Sequence, residues 1–200
     1  MTLDFLSPAA TAVARSPMER EALAAGARLE QRDGWNFAVG FEGEERRRST
    51  VAFADRSQIG KLEVFGEHGF ELGKATLQED AWWCPTSRER ALVLCEPERT
   101  AELRERLGHG VVDLTSAMGA LAISGPLAVE LFARFTAIDL RPHATPVHGF
   151  RPGSVARTPG AILREGEDRW LMLFGAALGS YVWTVVADAA AGLGGGPVSA

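Results

Sequence analysis

Metal-binding side chains are scarce in this sequence: it has two cysteines, Cys84 and Cys95, and four histidines. There is no CxxC pair and no further soft ligand near either cysteine. His68, His109, His143 and His148 fall at no metal-ligand spacing, so no metal site is expected. Long apolar runs are also missing, and none reaches the ~18 to 20 residues that a membrane helix needs. The start of the chain carries Asp4 and lacks a basic segment followed by an apolar block. No secretory leader is therefore expected, the chain is placed in the cytoplasm without a membrane partner, and the two thiols are read as buried and unbridged. A basic surplus is absent too, because the formal net charge is -5. The single basic run, Arg46-Arg47-Arg48, follows Glu42, Glu44 and Glu45 and reads as a solvated hairpin tip, which argues against a nucleic-acid partner. No G-x-S-x-G elbow surrounds Ser57 or Ser124, so no hydrolase triad can be assembled. The glycine-rich end has neither the preceding strand nor the following helix of a dinucleotide fingerprint, and residues 191–200 are expected to be a disordered tail.

What remains is an ordinary globular balance, with 46% hydrophobic and 24% charged residues. A chain of 200 residues buries roughly 70% of its unfolded surface and needs no metal or disulfide staple. Trp35, Phe37, Val39 and Phe41 alternate with smaller or polar residues, as do Val51 and Phe53 beyond a charged tip at Gly43. The spacing predicts a hairpin.

The sequence then repeats itself. Asp55-Arg56-Ser57-Gln58-Ile59-Gly60-Lys61-Leu62-Glu63-Val64-Phe65-Gly66 returns as Asp113-Leu114-Thr115 through Gly119-Ala120-Leu121-Ala122-Ile123-Ser124-Gly125. Asp and Ser or Thr bond the backbone of a turn, and the first Gly permits a special dihedral or a close approach. Leu62/Val64 and Leu121/Ile123 line one face of the strand that follows, and the closing Gly ends it. Downstream, 89–94 and 168–173 read as matching strands. Each leads into a helix, over 98–107 with Leu103 and Leu107 one turn apart, and over 177–189 with an apolar stripe through Val182 and Val186. Pro126 sits at a first helical position, whereas Gly69 and Gly73 spoil the counterpart after the first copy. The two pseudo-repeats, about 35–108 and 111–190, make one unit spanning 1–190. Each reads strand, helix or loop, strand, strand, helix. That is an α+β fold with antiparallel or mixed sheets and helices packed on them.

These residues bring a family into view. The Asp55-to-Gly66 segment resembles the signature of the glycine-cleavage aminomethyltransferases, where a D-x-S-x-x-G-K stretch lies near tetrahydrofolate. Ser16-Pro17-Met18 and Gly26-Ala27-Arg28 resemble that family's opening. Asp113-Leu114-Thr115, Ile123-Ser124-Gly125-Pro126, Ile138-Asp139-Leu140-Arg141-Pro142 and the run from Pro152-Gly153 through Ala161-Ile162-Leu163 to the helix with Trp183 are similar to its short relative, the gamma subunit of heterotetrameric sarcosine oxidase. The resemblance covers roughly residues 15–190.

It implies a gamma-subunit-like, non-catalytic component of a one-carbon oxidase, partnered by larger flavin- and NAD-binding subunits and holding neither cofactor alone. The alternative it leaves open is a free-standing tetrahydrofolate binder related to the aminomethyltransferases. By resemblance, Asp55, Ser57 and Ile59 would lie along a folate, and Glu167 would anchor the pterin. Gly166-Glu167-Asp168 matches the first three positions of the family's G-E-D/N-G-F/Y-E segment, although a plain hairpin tip is the simpler reading of those residues. No catalytic residue carries over, because 78–85 lacks the family's N-E-x-G-G-x-x-D-D stretch and leaves Glu79 and Asp80 as turn acids. This sequence also has no counterpart of the family's C-terminal domain, so the resemblance is to the core alone. Trp82 and Trp83 must point to opposite faces of their strand. Core packing of both is the plainer reading, and an outward one would suit a stacking ligand or a subunit interface.

Overall fold

The computed structural model describes residues 12–200, so Asp4 and the rest of the leader question lie outside the described residues. In chain order the elements are α1 (Glu19–Ala24), β1 (Arg28–Arg32), β2 (Trp35–Gly40), α2 (Glu44–Arg48), β3 (Ala52–Asp55), β4 (Gly60–Phe65), β5 (Thr76–Gln78) and β6 (Ala81–Ser87). There follow β7 (Arg90–Cys95), α3 (Thr100–Leu107), β8 (Val111–Asp113), β9 (Met118–Ser124), α4 (Ala128–Phe132) and β10 (Phe150–Val155). The chain closes with β11 (Thr158–Arg164), β12 (Arg169–Gly175), α5 (Gly179–Ala191) and β13 (Gly196–Pro197).

Two sheets carry the fold, ordered β5-β6-β7-β4-β8 and β10-β11-β12-β9-β3-β13. Every pairing is antiparallel except that of β13 with β3. The alternation of the strands divides the core into layers. Leu92 and Leu94 of β7 face Ala120 of β9, Leu163 of β11, and Leu171 and Leu173 of β12 between the sheets. Trp170, Met172 and Phe174 point the other way, onto Leu131, Val182, Trp183 and Val186 of α4 and α5. Val93, Leu62 and Val64 pack on Leu103 and Leu107 of α3. The result is helix, sheet, sheet, helix, an α+β fold.

The repeat signature marks an exchange between the halves. β3 runs into the first Asp of the motif yet belongs to the second half's sheet, beside β9. β8 runs into the second copy yet pairs with β4 in the first half's sheet. The two crossing turns bond each other reciprocally. Ser57 Oγ accepts the N–H of Ala120 at 3.2 Å, and Thr115 Oγ1 accepts that of Lys61 at 3.1 Å. Arg56 N–H donates to Ala120 O at 2.9 Å, and Leu114 N–H to Lys61 O at 2.8 Å. The motif glycines allow close approach: a Cβ on Gly60 would lie 2.3 Å from Thr100 Oγ1, and one on Gly119 would lie 2.5 Å from the Phe174 ring.

Three expectations need correction. The strand holding Trp35, Phe37 and Val39 pairs with β1, not with the strand holding Phe53, so 35–53 is no hairpin. The arginine run is helix α2, not a hairpin tip, and it holds the C-terminal segment: Arg47 Nη1 donates to Pro197 O and Arg48 Nη2 to Ser199 O. Residues 191–200 are therefore not a disordered tail, because β13 pairs with β3 and Val198 is buried. Gly and Pro content alone misled the reading, since a two-residue strand carries no period.

Candidate functional site

The folate candidates begin at the crossing turn. Asp55 ends β3, and its Oδ1 accepts the N–H of Ser57 at 2.9 Å while Oδ2 accepts the Ser16 hydroxyl. Burial pushes this carboxyl up, only partly offset by the two serines and by the nearby Lys61 ammonium. Asp113 repeats the arrangement with Thr115 N–H at 2.9 Å. Ser57 is itself buried, with its oxygen committed to Ala120. Lys61, fully buried, donates to three carbonyls: Ser57 O at 2.8 Å, Ile59 O at 2.9 Å and Thr115 O at 3.2 Å. Burial pushes its ammonium down to about 8 against the pull of Asp55 and Asp113. Serine and lysine of the signature are thus consumed in joining the halves, and the aspartate in shaping its own turn.

A small pocket of about 80 Å³ opens beside this junction, lined by Ile59, Trp82, Leu94 and Leu171 with Arg56 and Glu165 at its polar side. Arg56 pairs with Glu96 and lies 3.6 Å from Glu165. Burial raises the Glu165 carboxyl and Arg56 opposes that shift. Of the four predicted folate residues only Ile59 lines this pocket. Glu167 stands exposed at the β11–β12 turn and contributes its backbone oxygen to Arg164. Asp55, Ser57 and Ile59 share the crossing turn, but Asp55, Ser57 and Glu167 do not line this pocket. The volume agrees, because a ligand of pterin-conjugate size needs a pocket of roughly 300 Å³ or more. The residues present do not fit tetrahydrofolate here.

The inward acid is Glu165, two residues earlier in the same turn. Sequence reasoning missed it and Arg56 because a family motif directed attention to the neighbouring Glu167. Trp82 and Trp83 do face opposite ways. Trp82 lies on the inter-sheet side with its ring 5.0 Å from His148, and Trp83 packs on the α3 side with Phe70 at 5.2 Å. Glu79 and Asp80 occupy the β5–β6 turn at φ 52° and 58°, both exposed, and Cys84 and Cys95 are buried free thiols.

The profile of the sarcosine oxidase, gamma subunit family matches residues 71–192, more than half the chain. The chain belongs to that family. The family segment begins just before β5 and holds most of both sheets, including β12, α5 and the pocket wall formed by Trp82, Glu165 and Leu171. The gamma-subunit fold is shared with two solved structures. A chain of heterotetrameric sarcosine oxidase from Corynebacterium sp. U-96, in complex with pyrrole 2-carboxylate, superposes with a TM-score of 0.69 at 20% identity, over 90% of this chain and 96% of that one. The glycine cleavage system aminomethyltransferase T from Bartonella henselae gives 0.70 at 16% identity, over 88% of this chain and 57% of that one. No curated protein matches the chain. No described helix is long and apolar enough to cross a membrane.

Proposed function

We propose that this gamma-subunit family member is a non-catalytic component of a sarcosine oxidase type complex, built to associate with larger flavin- and NAD-binding subunits. The observation that carries the reading is the family match together with the small pocket at the junction, where the motif's polar groups hold the two halves together. Interface material is present around the half-buried Trp82. β5 is an edge strand, and its Leu77 stands opposite Trp82 with half its surface exposed, as is that of Leu72. His148 and the exposed Val147 adjoin them through the Ala75 N–H to His148 O bond of 2.7 Å. An unpaired strand edge beside apolar side chains is the usual mark of a binding surface. Trp83 supports that surface from the other face of β6.

Co-expression with the larger subunits followed by size-exclusion chromatography tests this. Co-elution is expected, and Leu77→Asp should abolish it while leaving the isolated chain folded. A chain that stays monomeric beside well-folded partners would overturn the assignment. Calorimetric titration with tetrahydrofolate and its 5-formyl derivative addresses the folate-binding alternative. No saturable heat is expected, and binding lost in Glu167→Ala would restore that alternative.

A further inference from the structure

β5 is the outer strand of its sheet, and the chain itself already covers the start of its edge. Ala75 N–H, just before β5, donates outward to His148 O at 2.7 Å, and Phe150 N–H donates to Gly73 O at 3.0 Å. Residues 148–150 thus lie antiparallel to 73–75, with Lys74 opposite Gly149. The cover stops at His148, where φ is 68° and Gly149 N–H turns back to Pro146 O at 2.8 Å. Backbone groups of alternate residues leave an antiparallel strand on the same side. The N–H and C=O of Leu77, two residues beyond Ala75, therefore also point outward. No loop or turn bond among the described residues reaches them. Two residues further on, Glu79 O is taken by Arg99 Nη1 at 2.7 Å. The open position is Leu77.

The other outer strands carry the features that keep a sheet from adding a strand. β10 contains Arg151 and Pro152, β13 is two residues long with Pro197, and β8 ends on the charged Asp113. β1 carries Arg28, Glu30 and Arg32. β5 has no charge, no proline and no bulge. Leu72, Leu77 and Val147 stand exposed around its open position, and Leu77 shares a face with Trp82. The residue of an added strand set opposite Leu77 would place its side chain on that same face, where an apolar one fits.

We propose that β5 receives an extended segment of one of the larger subunits as an added antiparallel strand. Its backbone bonds Leu77 N–H and C=O, and a β-branched or aromatic residue packs against the Leu77 side chain. The inference rests on the subunit reading and specifies the contact. Amide hydrogen exchange, resolved by residue in the isolated chain and in the co-purified complex, tests it. Leu77 N–H should slow at least about tenfold on assembly. Leu77→Pro removes the outward donor, which an edge strand tolerates, and should weaken association at least about fivefold. Leu77→Val keeps the donor and should still associate. If Leu77→Pro fails to fold, the exchange of the parent decides. An unchanged Leu77 exchange rate in an intact complex, or parental affinity in a folded Leu77→Pro, would overturn the added strand and leave the subunit reading standing. A parent chain that never joins the larger subunits would overturn both. Self-association of the isolated chain that Leu77→Pro abolishes would give the edge to a second copy and overturn the proposal.

Discussion

At the residue scale, the signature that resembles a ligand motif behaves as a fastener. Ser57 and Thr115 each accept one backbone N–H from the other half. Leaving a buried donor unpaired costs about 1–3 kcal/mol. Ser57→Ala and Thr115→Val should therefore each lower the unfolding free energy by about 1–2 kcal/mol in urea titration. If both stayed within about 0.5 kcal/mol of the parent, the fastening role would be wrong. Lys61 gives a pH signature. Its folded pKa, about 8, lies below the unfolded value near 10.4, so above pH 8 the folded chain has shed a proton that the unfolded chain still holds. Stability carried by this group therefore rises with pH across that window, by about 2 kcal/mol between about pH 7.5 and 9.5. Comparing parent with Lys61→Met cancels the opposite trend from the buried thiols Cys84 and Cys95. Parallel pH curves for the two proteins would refute this account of Lys61.

At the element scale, the end of the chain is structural although its composition reads as a linker. β13 contributes only two residues to the sheet, and their neighbours do much of the anchoring. Val198 is buried against Ala52 and Ala54, while Glu44 accepts both the N–H and the hydroxyl of Ser199 at 2.9 Å. Val198→Asp places a charge where none can be paired, so it should cost about 2–4 kcal/mol and lower the melting temperature by several degrees. Insensitivity of the melt to that change would mean the segment is loosely held. The longer elements were legible because period is a property of many residues. Leu62/Val64 and Leu121/Ile123 announced the helix-facing sides of β4 and β9, and Leu103/Leu107 announced α3. The strand with Trp35 was legible as a strand, but its partner was not, because alternation gives a face and not a neighbour.

At the scale of the whole molecule, the exchange of β3 and β8 makes the halves inseparable. Each sheet takes one strand from the other half, and the inter-sheet core draws Leu92 and Leu94 from one and Leu171 and Leu173 from the other. A single cooperative unfolding transition is expected by calorimetry, with calorimetric and van't Hoff enthalpies equal. Residues 1–110 and 111–200 expressed separately should each give the collapsed amide spectrum of an unfolded chain. Dispersed peaks from either half alone would show that the exchange is dispensable.

The sequence by itself determined the α+β class, the strand faces and the family, since each rests on local period or on a contiguous motif. Only the tertiary structure decided how the repeats interlock and what the motif is for. Ser57 and Lys61 lie within one short turn, but their partners Ala120 and Thr115 lie more than 50 positions away. It also decided that Glu165 and not Glu167 faces inward, because a turn's geometry, rather than its composition, sets which of two nearby carboxylates leaves water.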